Sequence, residues 1–96
     1  MSLTFYVEDD GKTQMVSCND NKLVKDFILD YLKEYTNYVS LSTEDYTFEK
    51  GTKVLNDDRY LSMEIGKLVQ PGSYITLYRK HDLNYSKNNI ILIILY

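Results

Sequence analysis

A chain of 96 residues holds one domain and one core, burying roughly 60–70% of the surface that its unfolded form would expose. With 44% apolar and 26% charged residues it falls within globular usage, which excludes global disorder, and its longest apolar run, Ile90 to Tyr96, is far short of the ~20 residues of a membrane-spanning helix. The net charge is −3, with acidic groups at Glu8-Asp9-Asp10, Glu44-Asp45 and Asp57-Asp58 and basic residues mostly scattered singly; this argues against broad nucleic-acid binding, which wants Lys and Arg concentrated on one surface.

In chain order, Leu3, Phe5 and Val7 alternate with Thr4, Tyr6 and Glu8, the period of two that a strand with one buried face requires. Asp9-Asp10-Gly11-Lys12 supplies a tight turn, because Asp-Gly tolerates the positive φ of a short hairpin. A second strand follows from Thr13 to Cys18. Met15 and Val16 are adjacent and cannot share a face; a one-residue slip exchanges the faces, and the reading favoured here sets Val16 and Cys18 inward. Asn19-Asp20-Asn21 offers three N-caps for a helix beginning near Lys22. On that helix Val24, Phe27, Ile28, Tyr31, Leu32 and Tyr35 form one apolar stripe, with Lys25, Asp26, Asp30, Lys33 and Glu34 off it. The i,i+4 neighbours Lys22–Asp26 and Asp26–Asp30 oppose each other in sign and read as solvated surface.

Asn37 to Asp45 is polar and β-branched, a connecting loop with a short extended piece at Tyr38-Val39. Tyr46-Thr47-Phe48-Glu49 alternates again with Tyr46 and Phe48 inward, Gly51 ends the run, and Lys53-Val54-Leu55 is a short strand. Tyr60 to Leu68 holds a helical turn presenting Leu61, Ile65 and Leu68. Gln70-Pro71-Gly72-Ser73 is a strong turn, since Pro pre-sets φ at its second position and Gly accepts positive φ at its third. The last strand is Tyr74 to Tyr78, with Ile75 and Leu77 inward and Thr76 and Tyr78 outward.

Candidate chemistry is sparse. Asn56-Asp57-Asp58 is contiguous and lies between Leu55 and Leu61, whereas a calcium loop needs alternating oxygen ligands, a glycine and a distal glutamate. An Asx side chain readily closes a turn on its own backbone, so Asp57 is expected to bond the backbone of the corner, with Arg59 outward. Cys18 lacks an activating base, the single histidine being His81 beyond the last strand, and one Cys with one His does not make a zinc site. Gly11, Gly51, Gly66 and Gly72 are isolated and form no phosphate loop. No enzyme activity, cofactor, metal or small-molecule substrate is expected. The lone cysteine, and a beginning that reads straight into a strand, predict an intracellular protein, nuclear or cytoplasmic.

Two strands, a helix, a strand, a short strand, a turn-rich corner and a final strand predict an α+β β-grasp fold over residues 1–80. Its mixed sheet of four to five strands packs on one main helix, with its first and last strands side by side. Residues 81–96 form a tail, read either as an extra strand or as disordered. At the corner, Lys53, Leu55, Asp57, Arg59, Leu61 and Ser62 resemble the ubiquitin pattern, and Pro71 to Leu77 resembles that family's turn into its last strand. A narrower resemblance, to the ubiquitin-like twenty-five-kilodalton subunits of the minor spliceosome, rests on Gly51, Lys53, Leu55-Asn56-Asp57, the looser stretch from Ile65 to Gly72, Arg79 with His81, and Asn84-Tyr85-Ser86. Those relatives carry tryptophans before the third strand; this chain has none.

The resemblance implies a non-catalytic protein-interaction module, in its narrower form a component of a minor-spliceosome particle acting in pre-mRNA splicing; the alternative is a modifier or adaptor of the ubiquitin system. Many ubiquitin-like proteins are conjugated through a C-terminal Gly-Gly, and no glycine follows Gly72 here. The corner alignment puts Glu49 where ubiquitin's central docking isoleucine lies, with Thr76 and Tyr78 for its histidine and valine; a carboxylate there penalises an apolar receptor. Protein partners are expected instead on the outer sheet face, through Tyr6, Thr76 and Tyr78, with Thr4 beside them; the rival reading makes these residues plain cross-strand pairs. The Arg79-Lys80-His81 run offers a short basic contact for a phosphate or an acidic partner. The Ile/Leu-rich tail is read four ways: an edge strand, a groove cover, a partner contact or an aggregation-prone segment.

Overall fold

The computed structural model of the chain describes residues 1–80. The readings of the tail, with His81 and Asn84-Tyr85-Ser86, fall outside the described residues.

Five strands form one mixed sheet: β1 (Ser2–Asp9), β2 (Lys12–Asn19), β3 (Tyr46–Lys50), β4 (Lys53–Val54) and β5 (Tyr74–Arg79), in the spatial order β2-β1-β5-β3-β4. β1 and β5 are parallel neighbours and every other pairing is antiparallel. The helix α1 (Val24–Tyr35) crosses one face, and the β4-to-β5 connection carries a single helical turn, α2 (Asp58–Leu61), and a 3-10 turn at Ile65–Lys67. This is the β-grasp arrangement predicted from the element order.

The period-two alternation of β1 is realised as Leu3, Phe5 and Val7 buried and Thr4, Tyr6 and Glu8 half-buried on the other face. Asp10 and Gly11 have φ of 53° and 78°, the paired left-handed conformation that lets a two-residue hairpin match the twist of its strands. On β2, Val16 and Cys18 pack against the core and Met15 is exposed, which settles the register in favour of the reading given above. On α1 the predicted stripe is the buried face: Val24, Phe27, Ile28, Tyr31 and Leu32 are buried and Tyr35 packs on their edge. Phe5, Phe27, Phe48 and Tyr31 meet edge to face or tilted, the ring arrangement that aromatic quadrupoles favour.

Three local expectations are corrected. The helix starts at Val24 and not near Lys22, and no Asx residue caps it: the N-cap is Leu23, and the Val24 amide donates to the Met63 carbonyl at 2.9 Å. A long-range backbone partner replaces the side-chain cap, because Ile65 N also bonds Lys22 O at 2.7 Å and ties this end of the helix to the 3-10 turn. The face read as solvated surface does carry one ion pair, Lys22 with Asp30, formed from outside the helix with both side chains partly exposed. Tyr38-Val39 forms no strand. Their loop is pinned instead by Tyr46, whose hydroxyl donates to Tyr38 O at 2.6 Å, and by Ser40, whose hydroxyl donates to Asp45 at 2.6 Å.

The 55–59 corner is held by Asn56, 2% exposed. Its Oδ1 accepts from Phe48 N at 3.1 Å, and its Nδ2 donates to Tyr46 O at 2.9 Å and to Leu41 O at 3.3 Å. One amide therefore joins β3, the 37–45 loop and the corner. Asp57 caps α2 by accepting from Arg59 N at 3.1 Å, and Arg59 lies outward, as expected. That amide and the neighbouring guanidinium hold the Asp57 carboxyl below its ordinary range.

Candidate partner-binding face

Alternation puts Thr13, Met15 and Ser17 of β2, Thr4, Tyr6 and Glu8 of β1, and Tyr74, Thr76 and Tyr78 of β5 on the sheet face opposite α1. Pairing then sets them in rows. Met15, Tyr6 and Tyr74 lie side by side; Thr13, Glu8, Thr76 and Glu49 form the next row but one along the strands, and Tyr78 stands beside Thr47.

Tyr6 and Tyr74 stack with ring centroids 5.0 Å apart and planes at 24°. With Met15 65% exposed and Tyr74 57% exposed, the row is an apolar and aromatic strip open to solvent. Its surroundings are hydroxyls and one carboxylate: Thr4 and Ser17 hydroxyls are 2.8 Å apart, and Thr13 donates to Glu8 at 3.0 Å. The arrangement offers a partner flat ring faces inside a polar rim, the composition of an interface centre.

Of the residues singled out from sequence, Tyr6, Thr76 and Tyr78 share this face. Tyr78, 49% exposed, lies four residues along β5 from Tyr74, about 13 Å from the Tyr6 row. The ring beside Tyr6 is thus Tyr74. Its outward parity with Thr76 and Tyr78 follows from the alternation of β5, but its neighbour follows only from the parallel register of β1 against β5.

Arg79 has the parity of Ile75 and Leu77 and turns to the helix side. Its Nε and Nη2 each donate to an Asp9 carboxylate oxygen at 2.7 Å, and Nη2 also donates to Tyr35 O at 3.0 Å. The Tyr31 hydroxyl completes the cluster by donating to Asp9 at 2.6 Å. Burial, and then the bond to the Asp9 carboxylate, push the Tyr31 phenol well above its ordinary range. Asp9 is 3% exposed, and the guanidinium fork supplies the opposite charge that a buried carboxylate requires.

On the helix side, a groove of about 370 Å³ runs between β2 and α1, with Val16, Cys18, Tyr31 and Tyr35 in its walls. Burial raises the Cys18 thiol above its ordinary value, against a smaller lowering by Lys22. Among the described residues, no three His, Cys, Asp or Glu side chains gather closely enough to hold a metal ion, and no helix is long and apolar enough to cross a membrane.

No family model and no curated protein matches the chain. Solved structures do. A ubiquitin-like domain of an Arabidopsis thaliana protein, known from solution NMR, aligns with TM-score 0.62 at 15% identity, covering 82% of this chain and 78% of that one. A chain of a pParkin-pUb-UbcH7 crystal complex aligns with TM-score 0.62 at 17% identity over 83% of this chain, which spans only 23% of that longer chain. A computationally designed protein based on human erythrocytic ubiquitin aligns with TM-score 0.55 at 25% identity, covering 82% and 90%. The fold is therefore α+β, a β-grasp of the ubiquitin-like kind.

Proposed function

We propose that residues 1–80 form a non-catalytic protein-interaction module that binds a protein partner through the outer sheet face, residues 81–96 being a tail to it. The observation carrying this reading is the stacked Tyr6–Tyr74 pair beside exposed Met15, with Tyr78 farther along the same face. Tyr supplies large amphipathic contact area for two side-chain torsions, so burying it in an interface costs little conformational entropy. Thr76 lies between the two aromatic positions as a hydrogen-bonding group. Arg79 belongs to the proposed site only indirectly, by fixing β5 against β1. Glu49, paired across from Thr76, disfavours receptors that seat an apolar patch at that point.

A minor-spliceosome particle is the finer setting we infer for the module, on the sequence resemblance of Gly51, Lys53 and Leu55-Asn56-Asp57 and not on the fold. The test is an affinity capture with the intact chain followed by mass spectrometry, run beside Tyr6→Ser and Tyr78→Ser variants of unchanged thermal stability. Splicing proteins captured by the wild type and lost from the variants support the full reading. Other protein partners lost in the same way keep the surface and overturn the spliceosomal setting. Conjugating enzymes with covalent adducts, or binding indifferent to both substitutions, overturn the module reading itself.

A further inference from the structure

On the outer sheet face a charged row runs between the aromatic positions. Thr76 pairs with Glu8 on β1 and with Glu49 on β3, so a carboxylate stands on either side of it. One strand spacing separates it from each, which sets the Glu8 and Glu49 backbones about 10 Å apart. Along β5, Tyr74 and Tyr78 lie two residues before and after Thr76 on the same face, about 7 Å away in each direction. Thr76 is thus the floor of a frame, with carboxylates on one axis and exposed phenols on the other. A partner that covers Tyr74 and Tyr78 together also covers Glu8 and Glu49.

That coverage has an electrostatic consequence. Both glutamates are half-buried, and the donors on their side chains are neutral hydroxyls: Glu8 accepts from Thr13 at 3.0 Å and Glu49 from Thr47 at 3.1 Å. Neither joins an ion pair among the described residues. The cations of the sheet are placed elsewhere. Lys12 has the parity of Val16, and Lys50 and Lys53, paired with each other, have that of Phe48; all three belong to the helix side. Arg79 is engaged with Asp9, and Lys80 donates to Thr43 O at 3.2 Å. Under an apolar or acidic partner the two carboxylates would be dried without a counter-charge, which is strongly unfavourable; a guanidinium or ammonium brought by the partner removes that penalty. Arginine fits the frame best, because its planar fork bonds a carboxylate twice while its flat face packs on a phenol ring.

We propose that the outer face selects a basic protein segment, whose arginine side chains pair with Glu8 and Glu49 across Thr76 and lie against the Tyr74 and Tyr78 rings. This rests on the reading of that face as the partner-binding surface. It adds the partner's chemistry: the tyrosines supply contact area, and the two glutamates reject acidic and purely apolar segments.

Selection of a phage-displayed library of random peptides on the intact chain tests this. The selected peptides should be enriched in arginine beside apolar residues, and a representative one, made as a free peptide, should shift the Tyr6, Thr76 and Tyr78 amide signals in NMR spectra. The Glu8→Gln/Glu49→Gln variant, checked for unchanged thermal stability, should raise the Kd of that peptide about tenfold or more. Selection on Glu8→Lys/Glu49→Lys should turn toward acidic peptides. Peptides that lose binding with Tyr6→Ser and Tyr78→Ser, yet show no arginine enrichment or keep their affinity for the Gln variant, overturn the proposal and leave the face as the docking surface. Peptides indifferent to both tyrosine substitutions, or a selection that yields no binder, overturn the proposal and the surface together.

Discussion

Asp9 and Arg79, 70 residues apart in sequence, are joined by two charge-assisted hydrogen bonds of 2.7 Å at the shared end of β1 and β5. The pair locks the parallel contact between the first and last strands, and through Tyr31 and the Tyr35 carbonyl it fastens both to α1. Removing one partner strands the other's charge. Asp9→Ala is expected to lower unfolding stability by about 3 kcal/mol, near the lower end for a broken buried pair because the guanidinium retains some contact with water. Urea denaturation measures it. A loss below about 1 kcal/mol would mean that the pair behaves as a surface contact.

Tyr31 gives the same cluster a pH signature. Its phenol is held protonated in the folded state, by burial and by the bond to Asp9, above the ordinary value of 10.0. Above about pH 10 the unfolded chain releases this proton while the folded chain keeps it, so stability is complete below that pH and declines as pH rises past it. Tyr31→Phe lacks the proton and should cost about 1.5–3 kcal/mol at pH 7, since it removes a hydrogen bond to a carboxylate. The gap between wild type and variant should then narrow from pH 10 upward. A gap that stays constant to pH 11 would contradict the assignment.

Asn56 is the third stability determinant. Asn56→Ala leaves Phe48 N and the Tyr46 and Leu41 carbonyls without their amide partner, and a loss of about 2–4 kcal/mol is expected from these groups together. Asn56→Asp should be no better at neutral pH, because it puts a buried charge where the Nδ2 donor stood. Asp57→Ala, by contrast, removes only an exposed cap and should cost less than Asn56→Ala. If thermal denaturation ranked Asp57→Ala above Asn56→Ala, the corner would be held by its cap.

Most of this architecture was legible because it follows from local periodicity. The stripe on α1, the alternation of β1 and β5, the Asp10-Gly11 turn and the Pro71-Gly72 turn each repeat or break over a few residues. What was not legible depends on contacts distant in sequence. The helix N-terminus is satisfied by Met63 O, so nearby Asx residues misled the cap assignment. The Arg79–Asp9 bond joins strands 70 residues apart, which no local pattern signals. Asn56 belongs to an Asx stretch suited to closing a local turn, but its amide reaches Phe48, Tyr46 and Leu41, contacts that no neighbouring residue signals. Tyr74 was the missed member of the aromatic row, since nothing within β5 says which ring of β1 it will meet.

Cys18 should be a slow thiol. Burial raises its pKa above the ordinary value, which reduces the thiolate fraction at neutral pH, and its side chain packs against the core. Reaction with a chromogenic disulfide at pH 7.5 should be at least about tenfold slower than with a free cysteine, and urea should abolish the difference. Equal rates in folded and unfolded protein would place the thiol in open solvent.

The stacked pair on the outer face separates stability from binding. If Tyr6 and Tyr74 serve only the sheet, a double-mutant cycle with Ser at both positions should return a folding coupling of about 0.2–1 kcal/mol, and partner affinity should not change beyond what unfolding explains. If they form the contact, the folding coupling stays in that range, because the rings are on the solvent side and leave no cavity. Each single substitution then weakens binding by about 1–2 kcal/mol, a five- to thirtyfold rise in Kd. Met15→Ser, in the same row and outside the stacked pair, should weaken binding with almost no change in unfolding stability, since its side chain is 65% exposed. Calorimetric titration of the captured partner against Tyr6→Ser, Tyr74→Ser and Met15→Ser, each checked by urea denaturation, decides between the readings; unchanged affinity in all three removes the row from the interface.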